Sequence, residues 1–126
     1  MEGTKIESLH IEHREWLRKL DFYQEDLTIL KRRLEEIAAK NTAKDIMSMV
    51  EHFQNQFIIQ KNEIDEFRHS IKLLGNEIET IINKNPVAIN RQRIEDHPEL
   101  RDRMERFEKI FYELRMDLMR FASKNF

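Results

Sequence analysis

Apolar residues recur at alternating steps of three and four along almost the whole chain, and this pattern constrains the fold more than any other feature. Such a repeat averages about 3.5 residues, the period of helices that pack along a common seam. It occurs in three separate segments, so the sequence predicts an all-α protein with three long helices in an antiparallel, coiled-coil-like bundle. The three ladders read Ile6, Leu9, His13, Trp16, Leu20, Tyr23, Leu27, Leu30, Leu34, Ile37; then Ile46, Val50, Phe53, Phe57, Gln60, Ile64, Phe67, Ile71, Leu74, Ile78, Ile81; then Leu100, Met104, Phe107, Phe111, Leu114, Leu118, Phe121.

Capping residues and prolines predict where the helices begin and end. Thr4 and Glu7 form a capping box for the first helix, and Thr42 is expected to cap the second. Pro86 should end the second helix and Pro98 should lie in the first turn of the third. We therefore expect a single domain over residues 1–126, with helices at about 4–40, 43–84 and 97–123.

Two polar residues stand opposite each other in the predicted hairpin of the first two helices. The short connection makes these helices antiparallel, and residues lie at the same height when their numbers add to about 83. Tyr23 and Gln60 meet this condition, so the Gln60 amide is predicted to bond the Tyr23 hydroxyl. His13 is predicted to face the second helix near Ser70 as a third member of this buried polar layer.

The third helix is predicted to be too short to cover the tip of the hairpin. If it starts beside the end of the second helix, it reaches only the level of residues 58–60. Exposed apolar surface of that size usually marks an interface. Apolar residues off the seams point the same way: Phe22, Ile29, Ile58, Ile59 and a stripe on the third helix. The predicted interface residues are Leu30, Met47, Phe53, Tyr112, Met116 and Met119, and the predicted partner is a second copy or another helical protein.

Composition argues against several classes of function. The chain has 22 Lys and Arg against 24 Asp and Glu, a net charge of −2. These charges alternate without a basic stripe, so nucleic acid is not an expected partner. No apolar run approaches the ~20 residues that span a bilayer, so no membrane partner is expected either. With no cysteine the chain fits a reducing cytoplasm. The absence of cysteine and of a glycine-rich phosphate loop leads us to expect a non-enzymatic protein without a cofactor.

A di-iron helical bundle is the alternative. Glu7-x-x-His10 and Glu66-x-x-His69 have the spacing that ferritin-like carboxylate bundles use, but the ladder through Phe67 directs the second pair away from the core. Glu12-His13 and the segment His52-Phe53-x-x-Gln56 are similar to the first motifs of the hemerythrin-like family. Gln56 stands where that family has a bridging glutamate, and the chain has no His-x-x-x-His pair. We therefore assign no metal ligands and expect the purified protein to carry no stoichiometric metal.

Overall fold

Three long helices make up the bundle, as the ladders predict. The computed structural model describes residues 3–84, 93–95 and 98–125. The elements are β1 (Gly3–Lys5), α1 (Ile6–Lys40), α2 (Lys44–Lys84), β2 (Arg93–Glu95) and α3 (Pro98–Asn125). The all-α bundle is confirmed, and the short antiparallel pairing of β1 with β2 is an addition to it. None of the described helices has an apolar stretch long enough to cross a membrane.

The first residues of α1 and α2 differ slightly from the helix starts that the sequence predicts. The backbone of Thr4 lies in β1, where it pairs with Ile94, and α1 begins at Ile6; the capping box stays a prediction. The first turn of α2 is closed by Ala43, whose carbonyl oxygen accepts a hydrogen bond from the Met47 amide at 3.0 Å. Pro98 is the first residue of α3, as predicted, whereas residues 85–92, 96 and 97, including Pro86, lie outside the described residues.

The α1–α2 hairpin has the expected register. Trp16 of α1 and Phe67 of α2 meet edge to face, with ring centroids 6.1 Å apart. Their numbers add to 83, as the predicted register of the hairpin requires. At the turn, the Asn41 side-chain amide donates to the Ile37 carbonyl at 2.9 Å, which satisfies one of the free carbonyls at the end of α1.

The third helix runs parallel to α1, and three ion pairs at heptad spacing define its position. Glu12 binds Arg101, Lys19 binds Glu108 and Asp26 binds Arg115. Each pair joins residues that are 89 apart in the sequence. Because the separation stays constant along both helices, α3 follows α1 without drifting.

The hairpin tip is covered by α3, so the expectation of an uncovered tip is wrong. With this offset Pro98 lies level with Leu9, about 15 Å closer to the tip than a start beside the end of α2 would place it. The physical reason is the pairing of β2 with β1, which brings the chain back beside the start of α1 before α3 begins. At the far end the Asn41 amide donates to the Asn125 carbonyl at 3.0 Å.

The main apolar core runs between the three helices toward the tip, and a smaller cluster of Ile6, Leu9 and Ile78 lies at the other end of the hairpin. Phe121 of α3 packs on Phe53 of α2, with ring centroids 5.4 Å apart. Leu30, Leu34 and Ile37 on α1 are likewise buried, with at most 5% of their surface exposed. The tip therefore contributes to the stability of the single chain.

Candidate interaction surface

The predicted bond between Tyr23 and Gln60 does not form. The Tyr23 hydroxyl donates instead to Glu108 Oε2 at 2.5 Å, and its ring packs on Phe107 and Phe111 at centroid distances of 5.3 and 4.8 Å. Gln60 is buried, and its Oε1 accepts no hydrogen bond from the part of the chain that the structure describes. The register of α1 against α2 could not show that α3 supplies the acceptor for the Tyr23 hydroxyl, which is Glu108.

Tyr23 is held as a neutral hydrogen-bond donor. Burial is the largest effect that raises the pKa of its phenol, and the hydrogen bond to Glu108 and the charge of that carboxylate raise it further. Lys19 Nζ lies 3.2 Å from the other oxygen of Glu108 and compensates its charge. This arrangement ties α1 to α3, and a phenol with a raised pKa is poorly suited to act as a base at neutral pH.

His13 lies inside the bundle. It is 5% exposed and stacks on Trp16 with ring centroids 5.5 Å apart. The Ser70 hydroxyl donates to the Glu66 carbonyl at 3.1 Å and accepts from Arg103 at 3.3 Å. The burial of His13 is as predicted, and its proximity to Ser70 stays a prediction.

A buried ion pair between Asp26 and Arg115 escaped the sequence analysis. Asp26 is 7% exposed although it does not belong to the apolar ladder of α1. The Arg115 guanidinium donates to its Oδ2, and the Nε of Arg115 is buried without an acceptor among the described residues. The sequence did contain a signal for this pair. Charges at heptad spacing alternate in sign on α1 and on α3, in opposite order: Glu12, Lys19 and Asp26 on α1, and Arg101, Glu108 and Arg115 on α3.

These charges favour one register of α3 on α1. If α3 moved by one heptad in one direction, Lys19 would face Arg101 and Asp26 would face Glu108. In the other direction Lys19 would face Arg115. Like charges in such positions are destabilising, so the same residues that bind in the observed register oppose both neighbouring ones.

Four large apolar side chains form an exposed strip along the groove between α1 and α3. Phe22 and Ile29 lie one heptad apart on α1, and Tyr112 and Met119 lie one heptad apart on α3. Their exposed fractions are between 52% and 62%. Ile29 and Met119 line one cleft in this groove, and Phe22 lines the adjacent hollow. Tyr112 follows Glu108, which binds α1, by four residues, and this spacing puts it on the same side of α3. We call these four residues the α1–α3 strip.

The cleft in this strip has a volume of about 380 Å³ and a mainly apolar lining. Leu30, Leu118 and Ala122 contribute to its walls together with Ile29 and Met119. The Asp26–Arg115 pair lies at one end, and Arg33 and Ser123 lie at the other.

The structure divides the predicted interface residues into three groups. Leu30 and Phe53 are buried within the chain, with 5% and 2% of their surface exposed. Phe53 belongs to the core, whereas Leu30 forms part of the wall of the cleft. Met47 and Met116 are half-buried. Tyr112 and Met119 are exposed and belong to the α1–α3 strip.

The described residues contain no group of three or more His, Cys, Asp or Glu side chains that could hold a metal ion. The side chain of Glu66 is 74% exposed, and His69 is exposed as well. This Glu-x-x-His pair therefore points to solvent, as the ladder through Phe67 predicts.

The chain was compared with protein-family models, curated proteins and solved structures, and none of the three comparisons found a match.

Proposed function

We propose that this chain is a non-enzymatic interaction protein that self-associates through the α1–α3 strip. The observation that carries the proposal is the strip itself: four large apolar residues, each more than half exposed, at heptad spacing on two adjacent helices. An isolated exposed apolar residue needs no explanation, but a contiguous patch is a common mark of an interface.

The face that contains the strip has the size of a typical interface. α3 has 28 residues and lies beside α1 over its whole length. At 1.5 Å per residue and about 10 Å per helix, two such helices present a face of about 800 Å². One side of a standard protein–protein interface also buries about 800 Å².

The polar groups of the bundle support an interaction role over chemistry. Tyr23, Glu108 and Asp26 all hold one helix against another. The described residues offer no observation in favour of the di-iron alternative. A cytoplasmic location and the docking of other helical proteins belong to the proposal as well.

Sedimentation of single-charge variants tests the proposal. We expect a homodimer at micromolar concentration, and we expect Phe22→Glu or Met119→Glu to shift it toward monomer. Ile58→Glu is the matched control, because Ile58 is 57% exposed but lies on α2, outside the strip. Circular dichroism should show the same helix content in all three variants. A wild-type protein that sediments as a monomer at high concentration would contradict the proposal.

A further inference from the structure

We infer that the second copy docks antiparallel across the α1–α3 strip, so that Phe22 and Tyr112 of each copy enter the cleft of the other. This inference rests on the proposed self-association and specifies its geometry. It comes from an offset between the exposed aromatic residues and the cleft, which lie on the same face at different heights.

The aromatic residues and the cleft are separated by one heptad, or about 10 Å along the helices. Phe22 lies at nearly the same height as Tyr112, as the constant offset between α1 and α3 requires. The cleft extends from the level of Asp26 and Arg115 toward the tip, and its middle lies near Ile29 and Leu118. One chain therefore cannot place its own aromatic side chains in its own cleft.

Two kinds of two-fold axis can bring two such faces together. An axis parallel to the helices keeps the heights, so aromatic residues meet aromatic residues and the two clefts face each other unfilled. An axis across the helices, near the level of Asp26, reverses the heights. Phe22 then lies against Ile29 of the partner subunit, and Tyr112 against Met119 of the partner subunit.

The antiparallel arrangement fills both clefts at once because the contact is isologous. Aromatic side chains that enter desolvated pockets are the commonest energetic anchors of interfaces. Tyr112 also suits this position because its hydroxyl can remain at the polar rim while its ring is buried.

The charged rims are compatible with this arrangement. The register that puts Phe22 against Ile29 of the partner subunit also puts Glu15 level with Glu36 of the partner subunit and Arg18 level with Arg33 of the partner subunit. The opposite charges lie three residues away along the helices, about 4.5 Å, which the long arginine side chains can reach. Each such cluster has two charges of each sign and so carries no net charge. The same contact covers the Asp26–Arg115 pair, which lies at the centre of the face.

Cysteine crosslinking tests the geometry directly, because the natural chain has no cysteine. Glu25 on α1 and Met116 on α3 lie near the proposed axis and outside the aromatic anchors. We expect Glu25→Cys and Met116→Cys each to form a covalent dimer with itself when treated with a short bismaleimide. Asn62→Cys, at an exposed position on α2 away from the strip, is the control that should stay uncrosslinked.

The possible outcomes separate the geometry from the self-association. If a crosslink forms only when the Glu25→Cys and Met116→Cys proteins are mixed, the two copies pack in the parallel arrangement. That result would overturn the inference. A dimer by sedimentation that forms no crosslink at either position would also overturn it. A monomer by sedimentation would instead remove the proposed function.

An alanine series gives an independent measurement. Phe22→Ala and Tyr112→Ala should each raise the dimer dissociation constant at least about tenfold, as expected for anchors in a pocket. Ile58→Ala should leave it unchanged. Equal effects at all three positions would contradict the anchoring role of the aromatic pair.

Discussion

Asp26→Asn should destabilise the bundle more than a removed surface charge would. Asn keeps the size of the side chain, and its amide oxygen can still accept a hydrogen bond, so the variant removes mainly the negative charge that pairs with Arg115. The guanidinium then remains beside the apolar cleft without its carboxylate. Its Nε is already buried without an acceptor among the described residues, so no alternative partner is in place.

The expected cost follows from the exposure of the two side chains. Removing one partner of a fully buried ion pair costs roughly 3–5 kcal/mol, and exposed pairs contribute about 0–1 kcal/mol. The side chain of Asp26 is 8% exposed, but that of Arg115 is 33% exposed. Water can therefore solvate part of the remaining charge, and we expect a loss of about 2 kcal/mol in the free energy of unfolding.

Urea denaturation followed by circular dichroism, at one fixed protein concentration, measures this loss. Asp21→Asn is the matched control, because Asp21 also binds an arginine, Arg68 at 2.5 Å, but is 65% exposed. That control should lose no more than about 0.5 kcal/mol. Equal losses in the two variants would refute the argument that burial makes the Asp26 pair important.

Three further predictions concern the core. The pKa of Tyr23 is raised by burial and by Glu108, so the unfolded chain loses this proton at lower pH; the free energy of unfolding should fall above about pH 10. Urea denaturation above and below that pH should show a smaller fall in Tyr23→Phe. Gln60→Met should raise the free energy of unfolding by about 1 kcal/mol and with it the urea midpoint. The substitution removes a buried hydrogen-bond acceptor that has no donor among the described residues. Phe53→Ala should cost about 3–5 kcal/mol in the same assay, since Phe53 is 2% exposed and belongs to the core.

Much of the fold could be predicted from local patterns in the sequence. A heptad ladder can be recognised in the sequence alone, because each apolar residue shares one helix face with the residues three and four positions away. The short connection around Asn41 then made α1 and α2 antiparallel, and the Trp16–Phe67 contact has the height that this hairpin predicts. The position of Pro98 at the start of α3 was local information of the same kind.

The placement of α3 was decided by contacts between residues far apart in the sequence. The pairing of β2 with β1 moved the start of α3 toward the tip, and this shift buried Leu30 and Phe53 inside the chain. It also gave Tyr23 the acceptor Glu108 in place of Gln60. A period along one helix says which residues face inward, but it does not say which neighbour they meet.

The candidate surface required both kinds of information. The sequence alone showed that Phe22, Ile29, Tyr112 and Met119 lie off their seams. The tertiary structure placed all four along one groove, because α3 runs parallel to α1 at a constant offset. Burial also removed Phe53 from the predicted interface. Helix periodicity determines the faces of each helix, and the packing of helices determines which faces remain for a partner.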